Sequence, residues 1–105
     1  MIRYNVCYSQ DALSDLTNIF EYIAYVQLEQ SNAVNLITEI KNAIQSLSTL
    51  PYRHKHFKTL KSNSKEERMF VVKGYAILYE IDEKSKTVGI NAIISCKRDL
   101  DRLLN

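Results

Sequence analysis

The sequence predicts an α+β domain in which a helical hairpin covers one face of a sheet. Three observations carry that expectation. A strand-like period of two opens the chain, two amphipathic stripes at helical spacing follow, and three segments rich in β-branched and aromatic residues come last. With 105 residues, 46% of them hydrophobic and 25% charged, the chain has material for one core, so a single domain over residues 1–105 is expected and a large multidomain enzyme is excluded.

Ile2, Tyr4, Val6 and Tyr8 alternate with Arg3, Asn5 and Cys7, the pattern of a strand with one buried face. Ser9 stands at an N-cap position, and Asp11 and Asp15 suit the positive end of a helix dipole. Ala12, Leu13, Leu16, Ile19, Phe20 and Ile23 then recur at three and four, with Asp15, Asn18 and Glu21 facing away, so a helix is expected to end between Tyr25 and Leu28. Gln27 to Asn32 is a polar link in which Ser31 or Asn32 can cap a second helix. That helix runs along Ala33, Leu36, Ile37, Ile40, Ala43, Ile44, Leu47 and Leu50 until Pro51 ends it. So short a link predicts an antiparallel pair.

Tyr52 to Glu67 shows no sustained period and reads as an exposed loop. Strands are predicted at Arg68 to Val72, Tyr75 to Ile81 and Thr87 to Ser95, with turns at Lys73-Gly74 and Asp82 to Lys86, which makes a three-stranded antiparallel meander. The first strand joins this sheet by an edge that the pattern does not name. A short helical turn can close the chain after Arg98.

No uncharged stretch approaches the roughly 18 apolar residues of a membrane span, and no apolar block resembles a signal peptide, so a soluble cytoplasmic protein without a membrane partner is expected. Cys7 and Cys96 are too few for a disulfide framework or zinc finger and read as core thiols. The charge is uneven. Residues 1–50 hold two Lys or Arg against five acids, and residues 51–105 hold twelve against seven. Seven of those twelve cations, with both histidines and only two acids, lie between Pro51 and Tyr75, where an anionic partner would be met.

Taken in order, Ser9-x-x-Ala12-x-x-Asp15-Leu16-x-x-Ile19-x-x-Tyr22-Ile23-Ala24, the stripe from Ala33 to Leu47 before Pro51, Arg68 ahead of a strand, Gly74-Tyr75-x-Ile77-Leu78-Tyr79-x-Ile81-Asp82, and Lys97-Arg98-Asp99-Leu100-x-x-Leu103-Leu104 form one pattern. It resembles the RelE/ParE toxin superfamily over nearly the whole chain. The resemblance implies a growth-inhibiting toxin of a type II toxin–antitoxin module, neutralised by a cognate antitoxin, with no cofactor, no metal and no small-molecule substrate. On that fold the target is either the ribosome and its mRNA, cut by RelE-type endoribonucleases, or DNA gyrase, poisoned by ParE-type proteins.

Cutting RNA needs a base, an acid and cations at the phosphate. RelE-type nucleases are similar to one another in a basic residue before the Gly-Tyr turn, an Arg after that Tyr, a C-terminal Arg and a late Tyr. Arg98 matches one of these, and the others fall on Val71, Ala76 and Leu104, which can neither move a proton nor hold a phosphate. A second nuclease type uses a Glu, an Arg and a His close to the C-terminus, and no histidine follows His56. A ParE-like action by binding is therefore expected. The alternatives are a nuclease using Arg68, Arg98, His54 and His56, and a decayed toxin that keeps only antitoxin binding and operon autoregulation.

Candidate target contacts are Arg53, Lys55, Lys58, Lys61, Lys65, Arg68, Lys73, Tyr75, Lys97 and Arg98. Each has a plainer reading: a solvated lysine-rich loop, surface histidines, a tyrosine packed in the core, or an exposed ion pair of Arg98 with Asp99 or Asp101.

Overall fold

A computed structural model describes residues 2–57 and 66–104. Its elements in chain order are β1 (Asn5–Tyr8), α1 (Gln10–Glu21), a π-helical turn (Tyr22–Val26), α2 (Gln30–Gln45), 3₁₀ turns at Ser46–Ser48 and Pro51–Arg53, β2 (Arg68–Val72), β3 (Tyr75–Asp82), β4 (Thr87–Ser95) and α3 (Leu100–Leu104). The four strands form one sheet in the order β1-β4-β3-β2. The meander is antiparallel, and β1 joins it parallel to β4, pairing Asn5 with Thr87 through Tyr8 with Ile90.

Both helices lie on one face of the sheet. Ala12, Leu16 and Ile19 of α1 and Ala33, Ile40 and Ile44 of α2 are buried against Ile77, Tyr79, Val88, Ile90 and Ile93. Ser9 caps α1 as expected, its Oγ accepting from the Ala12 amide at 3.0 Å and donating to the Asn91 carbonyl at 3.1 Å. The opposite face carries a smaller apolar cluster of Ala76, Leu78 and Ile94, on which Leu103 of α3 is seated.

A bulge divides β4. Leu78 pairs with Ala92 but Tyr79 pairs with Ile90, so Asn91 is an extra residue and the alternation inverts across it. Val88 and Ile90 face the helices before it, and Ile93 does so after it. β1 stops at Tyr8, which leaves the edge of β4 beyond it to side-chain partners. There the Asp15 carboxylate accepts from the Ile93 amide at 2.9 Å.

Several expectations are corrected. The first strand begins at Asn5 rather than Ile2. Cys7 is exposed and not a core thiol, on the outward phase of the same alternation that turns Val6 and Tyr8 inward, whereas Cys96 is half-buried and packs against the smaller cluster. Asp15 faces inward, to β4. Neither Ser31 nor Asn32 caps α2, which starts at Gln30 after Glu29 with no side-chain cap bond. Pro51 does not end α2 either: the helix stops at Gln45, and the proline opens the following 3₁₀ turn, where its fixed φ suits a first helical position.

The stretch after Pro51 is not simply an exposed loop. The buried Tyr79 donates its hydroxyl to the Pro51 carbonyl at 2.7 Å, which holds the 51–53 turn against the core. His56 bridges to Arg68 in antiparallel fashion, and Phe57 donates its amide to the Glu67 carbonyl at 2.7 Å. Lys58, Lys61 and Lys65 lie outside the described residues.

Candidate functional site

The candidate contacts among the described residues fall into two groups at the two ends of β2, roughly 13 Å apart for five residues of strand. The turn Lys73-Gly74 separates β2 from β3 and the lone pairing of His56 with Arg68 marks the other end, so strand geometry alone sets the division.

The first end holds Arg53, His54, Lys55, His56 and Arg68. Arg68 donates through Nη1 to the carbonyl of His54 at 2.6 Å and of Tyr52 at 3.4 Å, and its guanidinium lies 5.1 Å from the Tyr52 ring centroid. It staples the 52–54 backbone to the sheet. His54 stacks face to face on Phe70 at 4.4 Å and meets Tyr79 edge-on at 6.2 Å, so it is a packed ring and not a solvated one. Burial, and then the neighbouring Arg53, lower its pKa below the ordinary imidazole value. Arg53 Nε donates to His54 Nε2 at 3.3 Å, which fits the neutral ring with its proton on Nδ1. His56 Nε2 lies 3.3 Å from Glu66 Oε2. Lys55 is exposed, its carbonyl accepting from the Met69 amide at 3.2 Å.

The second end is a cleft of about 300 Å³ between the π-helical turn, the β2–β3 turn and the residues after β4. The Arg98 guanidinium lies over the Tyr22 ring, 3.8 Å from its centroid, and donates through Nη2 to the Tyr75 hydroxyl at 3.3 Å. Its amide donates to Ser95 Oγ at 3.1 Å. Arg98 therefore does not pair with Asp99 or Asp101. Tyr75 is buried and serves as the acceptor that orients Arg98, not as an exposed stacking platform. Lys73 pairs with Glu39 at 3.6 Å, and Lys97 lines the same cleft.

The four residues of the nuclease alternative are thus parted, with Arg68, His54 and His56 at one end of β2 and Arg98 at the other. Val71 and Ala76, where the resemblance would look for cations, are register partners on the face away from the helices. That face is apolar at Ala76, Leu78 and Ile94 and is flanked by acid: Asn91 Nδ2 donates to Glu67 Oε2 at 2.7 Å and to Glu80 Oε1 at 2.9 Å. Arg98, the one matching position, turns to the helical side, where Tyr22 and Tyr75 belong to the main core. Among the described residues no group of three or more His, Cys, Asp or Glu is placed to hold a metal, and no helix is long and apolar enough to cross a membrane.

Tyr22 and Tyr25 read from the sequence as ordinary packing on the first helix; the structure sets Tyr22 under Arg98 and leaves Tyr25 exposed with Val26 and Leu28. The available signal was that Tyr25 and Leu28 are apolar yet off the α1 stripe, and that Leu28 interrupts a polar link.

The model of the ParE toxins of type II toxin–antitoxin systems, parDE, matches residues 6–100. This chain belongs to the ParE toxin family. Solved structures share the fold of this ParE-family toxin. The chromosomal ParDE system of P. aeruginosa matches with a TM-score of 0.72 and 13% identity, covering 90% of this chain and 98% of that one. E. coli RelE, a double-arginine mutant in the free state, matches with a TM-score of 0.63 and 9% identity over 97% and 99% of the two chains. The RelBE2 toxin–antitoxin complex of Mycobacterium tuberculosis matches with a TM-score of 0.59 and 21% identity over 90% and 99%. No curated protein matches the chain by sequence. The strand, helical hairpin and meander expected of a RelE/ParE-type toxin are those of the structure, and the ParE-like assignment within the toxin–antitoxin class holds.

Proposed function

We propose that this ParE-family toxin arrests growth by binding DNA gyrase and not by cutting RNA. One observation supports the choice above the rest. The sheet face on which a RelE-type set would assemble carries Val71 beside Ala76 and is bordered by Glu67 and Glu80, and these carboxylates repel a phosphate backbone. His54, the best-placed base of the nuclease alternative, is held in an aromatic stack and bonded by Arg53, with no Arg98 near it. In this reading the exposed cations of the first end, Arg53 and Lys55, meet an acidic surface of the enzyme, and Lys58 and Lys61 follow them in the sequence. Arg68 supports them from below by fixing the backbone that carries them.

The test is a supercoiling assay with purified gyrase and the purified chain, run beside primer extension on mRNA in a translating extract. Lost supercoiling with accumulated cleaved DNA and intact messages is the expected result. New in-frame RNA ends with unaffected gyrase would overturn it.

A further inference from the structure

The cleft at the second end is built from hydrogen-bond donors, and the gyrase reading leaves it unused. Arg98 is exposed, yet its guanidinium is held over the Tyr22 ring and bonded to the Tyr75 hydroxyl. That bond uses a single nitrogen, and among the described residues no carboxylate pairs with the rest of the fork. The Tyr75 hydroxyl accepts from Arg98, so its own proton is left without an acceptor among the described residues. Ser95 repeats the arrangement. It is 5% exposed, its Oγ accepts the Arg98 amide at 3.1 Å, and its proton likewise has no acceptor among the described residues. Lys97 and Lys73 add two ammonium groups, and no carboxylate or histidine lines the cleft. Glu39 reaches Lys73 from α2 at 3.6 Å, but both side chains are more than half exposed and the pair holds Lys73 weakly.

We propose that this cleft binds the terminal phosphate of a small molecule about the size of a mononucleotide, with the phosphate oxygens on Arg98, Tyr75 and Ser95 and the ammonium groups of Lys97 and Lys73 beside them. The donors select that chemistry. A terminal phosphate carries roughly −1.5 to −2 charge and three strong acceptor oxygens, enough to meet the guanidinium fork and both hydroxyl protons. A carboxylate has two oxygens and one charge, which Arg98 alone would match in two parallel bonds, leaving the hydroxyls and ammonium groups unmet. A phosphodiester chain fits less well again, because it needs cations along a track. Here the π-helical turn, the β2–β3 turn and the residues after β4 enclose three sides, and the other described candidate cations lie at the far end of β2. The cleft volume of about 300 Å³ stands at the lower end of the range for small-molecule pockets, and Tyr22 and Ile23 give it an apolar wall. With no histidine or carboxylate among its lining residues to move a proton, the cleft holds a phosphate and does not transfer it. None of this depends on gyrase as the target.

The experiment is calorimetric titration of the full-length chain with inorganic phosphate and with AMP at about pH 7.5, where the phosphate is a dianion. The chains are the wild type, Arg98→Met, Lys97→Met, Tyr75→Phe and, as a control at the other end of β2, Arg53→Met. Acetate and a short DNA strand with hydroxyls at both ends serve as the competing probes. Arg98→Met keeps an apolar stem over Tyr22, Tyr75→Phe keeps the buried ring, and Lys97→Met alters an exposed residue, so the last two carry the test if Arg98→Met fails to fold. Expected is a Kd for AMP raised about tenfold or more by Arg98→Met, about threefold by Lys97→Met or Tyr75→Phe, and less than about twofold by Arg53→Met. AMP bound more tightly than inorganic phosphate would make the source an organic phosphate; equal affinity would make it the free ion on the same donors. A folded wild-type chain that binds neither probe up to about 10 mM would overturn the proposal. So would acetate binding as tightly as phosphate, which would make the cleft a carboxylate site, or the unphosphorylated strand binding through Arg98 as tightly as AMP, which would make it a nucleic-acid track.

Discussion

Asp15 and Arg102 stand 87 positions apart and meet in a two-pronged ion pair, Nη1 to Oδ1 at 3.0 Å and Nη2 to Oδ2 at 3.2 Å. The same carboxylate accepts from the Ile93 amide, so one side chain of α1 ties down the open edge of β4 and the terminal helix together. The two partners differ in exposure: Asp15 is 12% exposed and Arg102 42%. That difference predicts unequal costs of removal. Asp15→Ala leaves the Ile93 amide and Arg102 unmatched and is expected to lose about 2 to 3 kcal/mol in urea unfolding. Arg102→Gln keeps the Asp15–Ile93 bond and is expected to lose no more than about 1 kcal/mol. Equal losses would contradict the division of labour.

His54 makes stability depend on pH with a definite sign. Burial lowers its folded pKa, so the unfolded chain binds the proton first and stability rises with pH. The contribution is complete above the unfolded imidazole value of roughly 6.5 and is lost as pH falls from there through the folded value. Melting temperature should therefore drop between pH 7.5 and pH 5. His54→Phe, which keeps a ring on Phe70 and cannot titrate, should drop less over the same interval.

Tyr79→Phe removes only the hydroxyl that reaches Pro51. The ring stays buried, but the Pro51 carbonyl loses its donor, and a cost of about 1 to 2 kcal/mol is expected. Because that bond holds the 51–53 turn, amide exchange at Arg53, whose amide donates to the Leu50 carbonyl, should quicken more than exchange in α2. Uniform acceleration would point to global destabilisation alone.

The β2–β3 turn places Lys73 at a φ of 51° and Gly74 at 83°, both in the left-handed region. A Cβ on Gly74 would meet nothing within 4 Å, so the penalty for Gly74→Ala is conformational and should be about 1 kcal/mol in chemical denaturation. Lys73→Asn should be neutral or stabilising, because Asn tolerates that backbone. The Lys73–Glu39 pair it removes is exposed on both sides and contributes little.

The strands and their turns were legible because the turns announce themselves: Lys73-Gly74 and Asp82 to Lys86 bracket runs whose composition suits strands, and the observed bounds agree to a residue. The bulge at Asn91 was not legible, since Ile93 and Ile94 are equally apolar and only pairing shows that they face opposite ways. Asp15 was misread for a related reason. Its helical phase says outward, and only the early end of β1 leaves a β4 amide for it to satisfy. Of the candidate contacts, residue type picked out Arg68 and Arg98 but not their settings. Those depend on Tyr52, Tyr22 and Tyr75, brought near by folding and not by spacing. The ring under Arg98 depends on a π-helical turn that a period of 3.6 cannot reveal.

The parallel seat of β1 against β4 has a consequence for synthesis. Ser9 reaches the carbonyl of Asn91, 82 positions later, so the first strand has no partner until the last has left the ribosome. The helical hairpin, made early, likewise has no sheet to cover. A ribosome-bound chain halted before Thr87 should remain protease-sensitive throughout, and Arg98 is made later still. The sheet that carries the surface therefore cannot be finished before Thr87 to Ser95 has been made.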